Sequence, residues 1–287
     1  MATTIDASFQ KLKGNLEITG LQKSTVSTRQ QSVREVLEAD FTLVDSFLTG
    51  SYSRSTMIAP LGEADVDIFV VLSSTYYESN GQASILDKVR RTLLKTYTKT
   101  PKISRNGQAV TITFTDFLVD VVPAFNRQGG GYLIPNSTDK RWISTNPEVH
   151  VNTVSQENAS HQGMLVPLVK MIKGWNRSAG FPFNSFYLEL LAVEILRNVT
   201  ISDYPSGMRY FLDKGREKIR YTVRDLVPYG GDVYGFRNVT TVQEAVGKFE
   251  LGYNRAVRAE DYARKWAIEA AVDEWRKIFG DYFPAYG

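Results

Sequence analysis

Along the first forty residues, apolar positions recur at helical spacing among polar ones. They predict two amphipathic helices, at 5–17 and 21–39, the second carrying Val26, Val33, Val36 and Leu37 on its inner side. The period then shortens. Residues 41–48 read as a strand ending at Thr49-Gly50-Ser51, and Ser51 starts a further short helix. Residues 65–72 (DVDIFVVL) form the strongest strand signal, rich in β-branched residues and bounded by turn formers. A helix is predicted over 85–99, with Leu86, Val89, Leu93 and Leu94 on one side. Two more strands, 109–114 and 116–122, run up to Pro123.

The stretch 126–158 is rich in Gly, Pro, Asn and Ser and reads as a long ordered loop or crossover. Beyond it the pattern is helical, at 162–176, 185–199, 204–218, 242–258 and 261–279. Strands concentrated in the first half and helices in the second predict an α+β protein. There is no internal repeat.

Composition narrows the chemistry. At 287 residues the chain can bury a substantial core, and 43% hydrophobic with 23% charged residues is ordinary for a globular protein. Net charge is 34 − 31 = +3, too small an excess to announce a nucleic-acid binder. With no cysteine, disulfides, zinc–thiolate sites and thiol catalysis are excluded, and two histidines, His150 and His161, are too few for a histidine metal cluster. The N-terminus lacks the apolar core of a signal peptide, and no run of about 18 apolar residues would span a membrane. A cytoplasmic protein is expected.

Asp65 and Asp67 alternate with Val66 on one strand. They therefore share a face, with Cα atoms about 6.7 Å apart. Two unit charges roughly 6 Å apart at an effective dielectric of 20 repel by about 3 kcal/mol. A cation or a proton relieves that repulsion, and magnesium is the natural ion for carboxylate oxygens beside phosphates. Taken alone, a D-x-D pattern reads rather as a pair of solvated residues at a strand start, because such patterns are common. Two further features bear on it. Gly50-Ser51 offers close backbone approach and helix-start N–H groups, and Asp120 lies between Val119 and Val121 in the apolar run FLVDVVP. Asp116, on the same face as Asp120 but nearer the turn, is the weaker candidate.

Gly50-Ser51, Asp65-Val66-Asp67 and Asp120 together resemble the signature of the DNA polymerase β nucleotidyltransferase superfamily. The wider sequence resembles one branch of it, the bacterial cyclic-oligonucleotide synthases related to cyclic GMP-AMP synthase, or CD-NTases. LTGSYSRST (48–56), ADVDIFVVL (64–72), VDVVPAF (119–125) and GGYLIP (130–135) match in order and spacing. So do the segment from Trp142 to Pro147, His150, LVKMIKGWN ending at Asn176, SFYLELLA (185–192) and WRKIFGDYFP (275–284). The resemblance implies a polymerase-β-like lobe with a mixed sheet, at 1–158, packed against a helical lobe at 159–287 that completes a nucleotide cleft.

It further implies that Asp65, Asp67 and Asp120 hold two magnesium ions, for which manganese may substitute, and catalyse nucleotidyl transfer between nucleoside triphosphates (NTPs) with release of pyrophosphate. Gly50 and Ser51 would meet the donor phosphates, Lys173 would reach the triphosphate, Ser185 would add a second phosphate contact, and Phe186 would stack on the donor base. From the residues alone Lys173 reads as a solvated helix lysine, Ser185 as a helix cap and Phe186 as core. The implied product is a cyclic di- or oligonucleotide messenger acting on a separate effector in anti-phage signalling; the chain itself is expected to be a monomer. The basic stripe Lys88, Arg91, Lys95 and Lys99 reads as a solvated helix face rather than a nucleic-acid track, and the cluster from Arg216 to Arg224 is open between those readings. Two other functions use the same residues: transfer of a nucleotide to RNA, protein or a small molecule, and nucleotide binding without catalysis.

Overall fold

The computed structural model describes residues 3–100 and 102–287. The chain forms two compact units. One comprises Ile18–Val151 and Val227–Gly230. The other comprises the N-terminal stretch ending at Glu17, Asn152–Leu226 and Gly231–Gly287. This differs from the expected 1–158 and 159–287 division in two places. The first helix, α1 (Ile5–Asn15), belongs with the helical unit, and the later boundary falls inside a helix.

In the sheet unit, α2 (Gly20–Glu38) opens on a capping box in which the side chains of Thr19 and Gln22 each bond the other's backbone N–H. There follow β1 (Leu43–Leu48), α3 (Gly50–Ser53), β2 (Asp65–Leu72), α4 (Gln82–Thr96), β3 (Lys102–Arg105), β4 (Val110–Thr113), β5 (Leu118–Asn126), β6 (Tyr132–Asn136) and β7 (Arg141–Thr145). They make one mixed sheet in the order β1-β2-β5-β4-β3, with β6 paired to the end of β5 and β7 to β6. Among the described residues only β2 and β5 pair in parallel. Alternation splits β2 cleanly. Val66, Ile68, Val70 and Leu72 join a core with α2 and α4, while Phe69 and Val71 pack with Ala109, Val122, Ala124 and Ile134 on the opposite face.

The predicted loop at 126–158 is corrected by the structure. It holds the β6–β7 hairpin and α5 (Pro147–Ser160). The polar residues that suggested a loop serve as turns and caps. Asn136 Oδ1 accepts the backbone N–H groups of Thr138 and Asp139 in the hairpin turn, and Asn146 Oδ1 accepts that of Glu148 at the start of α5, with Pro147 as the first helical residue. β3 is also new, joined to β4 through the four residues 106–109, a turn closed by the Asn106 N–H donating to the carbonyl of Ala109 at 3.0 Å.

The helical unit holds α1, α6 (Leu165–Ser178), α7 (Ser185–Leu196), α8 (Tyr204–Lys218), a small hairpin of β8 (Val223–Arg224) and β9 (Asp232–Val233), α9 (Val242–Arg264) and α10 (Ile268–Phe279). α9 runs past the predicted end at 258, and α10 starts later than the predicted 261. Between them Trp266 takes φ 61° and breaks the helix. Trp175, Phe183, Phe211 and Phe249 form one aromatic cluster of this core; Phe9, Trp275, Phe279 and Phe283 form another.

Candidate active site

Strand pairing brings two of the three predicted acids side by side. Asp67 on β2 and Asp120 on β5 are lateral neighbours in the parallel pair, and Asp65 pairs with Leu118 two positions earlier. Asp67 and Asp120 share the faces of Phe69 and Val122, so both stand at the edge of the smaller apolar cluster. Asp65 is exposed; the other two are half-buried.

Gly50 closes in on Asp67. Its φ of 64° lies in the left-handed region that glycine enters without strain, and a Cβ there would stand 1.8 Å from Asp67 Oδ2. The turn is fastened by the Thr49 N–H, which donates to the carbonyl of Asp67 at 2.9 Å. Ser51 follows inside α3, its carbonyl accepting the N–H groups of Thr56 and Met57.

Asp120 carries the electrostatic tension of the site. Burial pushes its pKa up from the ordinary carboxylate value, the Thr111 hydroxyl bonded to it opposes that rise, the charge of Asp65 adds to it, and a bond from Asn106 opposes it again. An open hollow of about 360 Å³ borders Asp67 and Asp120, with Asn106, Gln108, Asn136 and Asp139 among its polar lining.

Carboxylate oxygens are the donors magnesium prefers, and a cation would relieve the tension at Asp120. Among the described residues, no three or more His, Cys, Asp or Glu side chains form a group ready to hold a metal ion. A divalent ion here would therefore take a partial set of carboxylates. That is the ordinary pattern for magnesium, which completes its shell with water and substrate phosphates.

The other predicted contacts lie in the helical unit. Lys173 on α6 is 7% exposed, and its Nζ donates to Glu189 Oε1 on α7 at 3.0 Å. It is a buried, carboxylate-paired lysine, not a solvated one. Ser185 and Phe186 open α7 and are half-buried. The cap of α7 is Asn184, whose Oδ1 accepts the N–H groups of Phe186 and Tyr187, so Ser185 is not the capping residue. His161 is bound through both ring nitrogens to the carbonyls of Glu157 and Leu196, a structural role. In the basic stripe, Lys88 pairs with Glu78 and Lys95 with Asp40. Sequence reading missed Glu189, Thr111 and Asn106. Only the Asn106-Gly107 turn signal was there to find.

No helix among the described residues is long and apolar enough to cross a membrane. A cyclic AMP-AMP-AMP synthase of an Acinetobacter strain is 27% identical over 98% of this chain and 86% of its own. The fold matches that of the CdnC protein of Escherichia coli MS115-1 solved with ATP, at TM-score 0.74 and 18% identity over 99% of this chain and 100% of that one. It also matches the CD-NTase CdnG of Bradyrhizobium diazoefficiens in complex with GTP, at TM-score 0.73 and 14% identity over 96% and 95%. The model of the Second Messenger Oligonucleotide or Dinucleotide Synthetase domain matches residues 3–158, more than half of the chain. With an acid pair set in register beside a glycine turn, the chain belongs to that family of nucleotidyltransferases, the cyclic-oligonucleotide synthases.

Proposed function

We propose that the chain joins NTPs into a cyclic oligonucleotide in a magnesium- or manganese-dependent reaction, with Asp65, Asp67 and Asp120 as its acids. The observation that carries this reading is the lateral pairing of Asp67 with Asp120, with Gly50 pressed against the Asp67 carboxylate. In each transfer a ribose hydroxyl of the acceptor attacks the α-phosphorus of the donor, the bond to the bridging oxygen breaks, and pyrophosphate leaves. Divalent ions, when bound, neutralise the triphosphate and lower the pKa of the attacking hydroxyl.

The chain's own groups hold and orient. Asp65 and Asp67 would hold the ions, and Asp120 would hold the one that activates the attacking hydroxyl. Gly50 and Ser51 present the α3 turn to phosphate oxygens. In the helical unit, Lys173 and Ser185 are the phosphate contacts and Phe186 the base-stacking ring, with Glu189 fixing the lysine in place. Ring closure repeats the same transfer within the linear intermediate. The product acts on a separate effector in anti-phage defence, and the Acinetobacter relative makes ATP the first donor to try.

Incubation with four labelled NTPs and magnesium or manganese, followed by phosphatase, tests this. A phosphatase-resistant product is expected, and Asp67→Asn should lower its rate at least about a hundredfold. That is the loss of roughly 3 kcal/mol of charge stabilisation at about 1.4 kcal/mol per tenfold. Full turnover in Asp67→Asn would refute the acid assignment. Pyrophosphate release with nothing surviving phosphatase would refute the cyclic product.

A further inference from the structure

The lateral row that joins Asp67 to Asp120 continues across the sheet to Thr111 on β4. The Thr111 hydroxyl donates to Asp120 Oδ1 at 2.5 Å, and Asn106 Nδ2 donates to Thr111 Oγ1 at 3.2 Å. A hydroxyl has one proton, and since Oγ1 receives the Asn106 N–H, that proton is free for the carboxylate. Asn106 is itself oriented. Its Oδ1 accepts the backbone N–H groups of Gln108 at 3.1 Å and Ala109 at 2.8 Å, which leaves the amide nitrogen for Thr111.

The turn carrying Asn106 is braced by the neighbouring hairpin. The carbonyl of Gly107 accepts the Ser137 N–H at 2.7 Å and the Ser137 hydroxyl at 3.2 Å. A Cβ on Gly107 would come within 3.0 Å of Thr138 Oγ1, so the two turns are in close contact. Each link is held by the one before it, from the β6–β7 turn through Asn106 and Thr111 to the carboxylate.

We infer that Thr111 and Asn106 are positioning residues for Asp120: they fix the orientation in which its carboxylate is offered to a divalent cation. The inference rests on Asp120 being one of the acids of the proposed reaction. Partners behind a ligating carboxylate fix its orientation before the ion arrives, and their loss characteristically weakens metal binding by 10- to 100-fold. The two residues touch neither substrate nor reacting atoms in this scheme; their effect passes through Asp120.

The test is a manganese titration of the purified protein with a non-hydrolysable ATP analogue, read from the paramagnetic resonance signal of free Mn²⁺. Wild type, Thr111→Val, Thr111→Ser and Asp67→Asn are compared, with melting temperatures recorded alongside. Valine keeps the β-branched shape of threonine and lacks only the hydroxyl. Thr111→Val should raise the half-saturating Mn²⁺ concentration about tenfold without lowering the melting temperature, and Thr111→Ser should restore it. Wild-type titration by Thr111→Val, or equal impairment in Thr111→Ser, would overturn the inference and leave the acid assignment standing. Manganese binding indifferent to Asp67→Asn would overturn the acid assignment, and this inference with it.

Discussion

At Gly50 two demands meet in one residue: a left-handed backbone and the absence of a side chain 1.8 Å from Asp67 Oδ2. Gly50→Ala should therefore cost about 1–3 kcal/mol of stability in chemical denaturation, from strained φ and overpacking together. It should also lower turnover by displacing the Asp67 carboxylate. The two causes separate in a double-variant cycle. With Asp67→Ala as background the carboxylate is gone, and the cost of Gly50→Ala should shrink toward its backbone part; an unchanged cost would refute the clash. Gly50 and the three proposed acids were singled out in the sequence by a glycine ahead of a helix start and by carboxylates at the start of, or within, apolar strands. Thr111 was not, since threonine is ordinary in a strand and its partner is set by how strands pair. Lys173 was singled out only through resemblance, and its pairing with Glu189 joins two helices that sequence does not align.

Among the elements, long periodic segments were readable and short ones were not. α2, α8 and β2 follow their hydrophobic period closely; α4 (Gln82–Thr96) begins and ends three residues before the predicted 85–99 and leaves Leu94, expected on its apolar side, exposed. β6, β7 and α5 were hidden by their own turn and cap residues, although Asn146-Pro147 is a helix-start signal. Contacts between elements carry the next prediction. Glu274 on α10 is 6% exposed and accepts bonds from Arg258 on α9 and from Lys277. Burial pushes its pKa up, but the bonds and charges of Lys277 and Arg258 outweigh that and hold it below the ordinary value of 4.5. An acid with a depressed folded pKa contributes stability that is complete above the unfolded value and is lost as pH falls through the folded one. Denaturation at a series of pH values from about 6 down to 3 should show that loss beginning below about pH 4.5. Glu274→Gln should be less stable than wild type at the upper end, with a shallower decline through the acid range. Parallel declines would remove the pairing as a source of acid sensitivity.

For the molecule as a whole, the informative feature is that its first helix folds with its last. Phe9 stacks edge-on against Trp275 at 4.9 Å and Phe283 at 5.2 Å, and Asn15 Nδ2 donates to the carbonyl of Tyr282 at 2.8 Å across 267 positions of sequence. Hydrophobic periodicity predicted the helix but carries no information about which distant face it covers, so the expected division placed it with the strands. Phe9, Leu12 and Leu16 have no exposed surface, and removing a fully buried phenylalanine ring costs about 3–5 kcal/mol. Phe9→Ala should therefore destabilise the protein on that scale in chemical denaturation, a loss under about 1 kcal/mol being incompatible with the packing described. Coupling then identifies the partner. Phe9→Ala combined with Trp275→Ala should depart from additivity by about 0.5–1.5 kcal/mol, the scale of an aromatic pair. Combined with Leu93→Ala, in the core of the sheet unit, the losses should add within about 0.5 kcal/mol. The reverse pattern would return α1 to the strands, where the sequence alone had placed it.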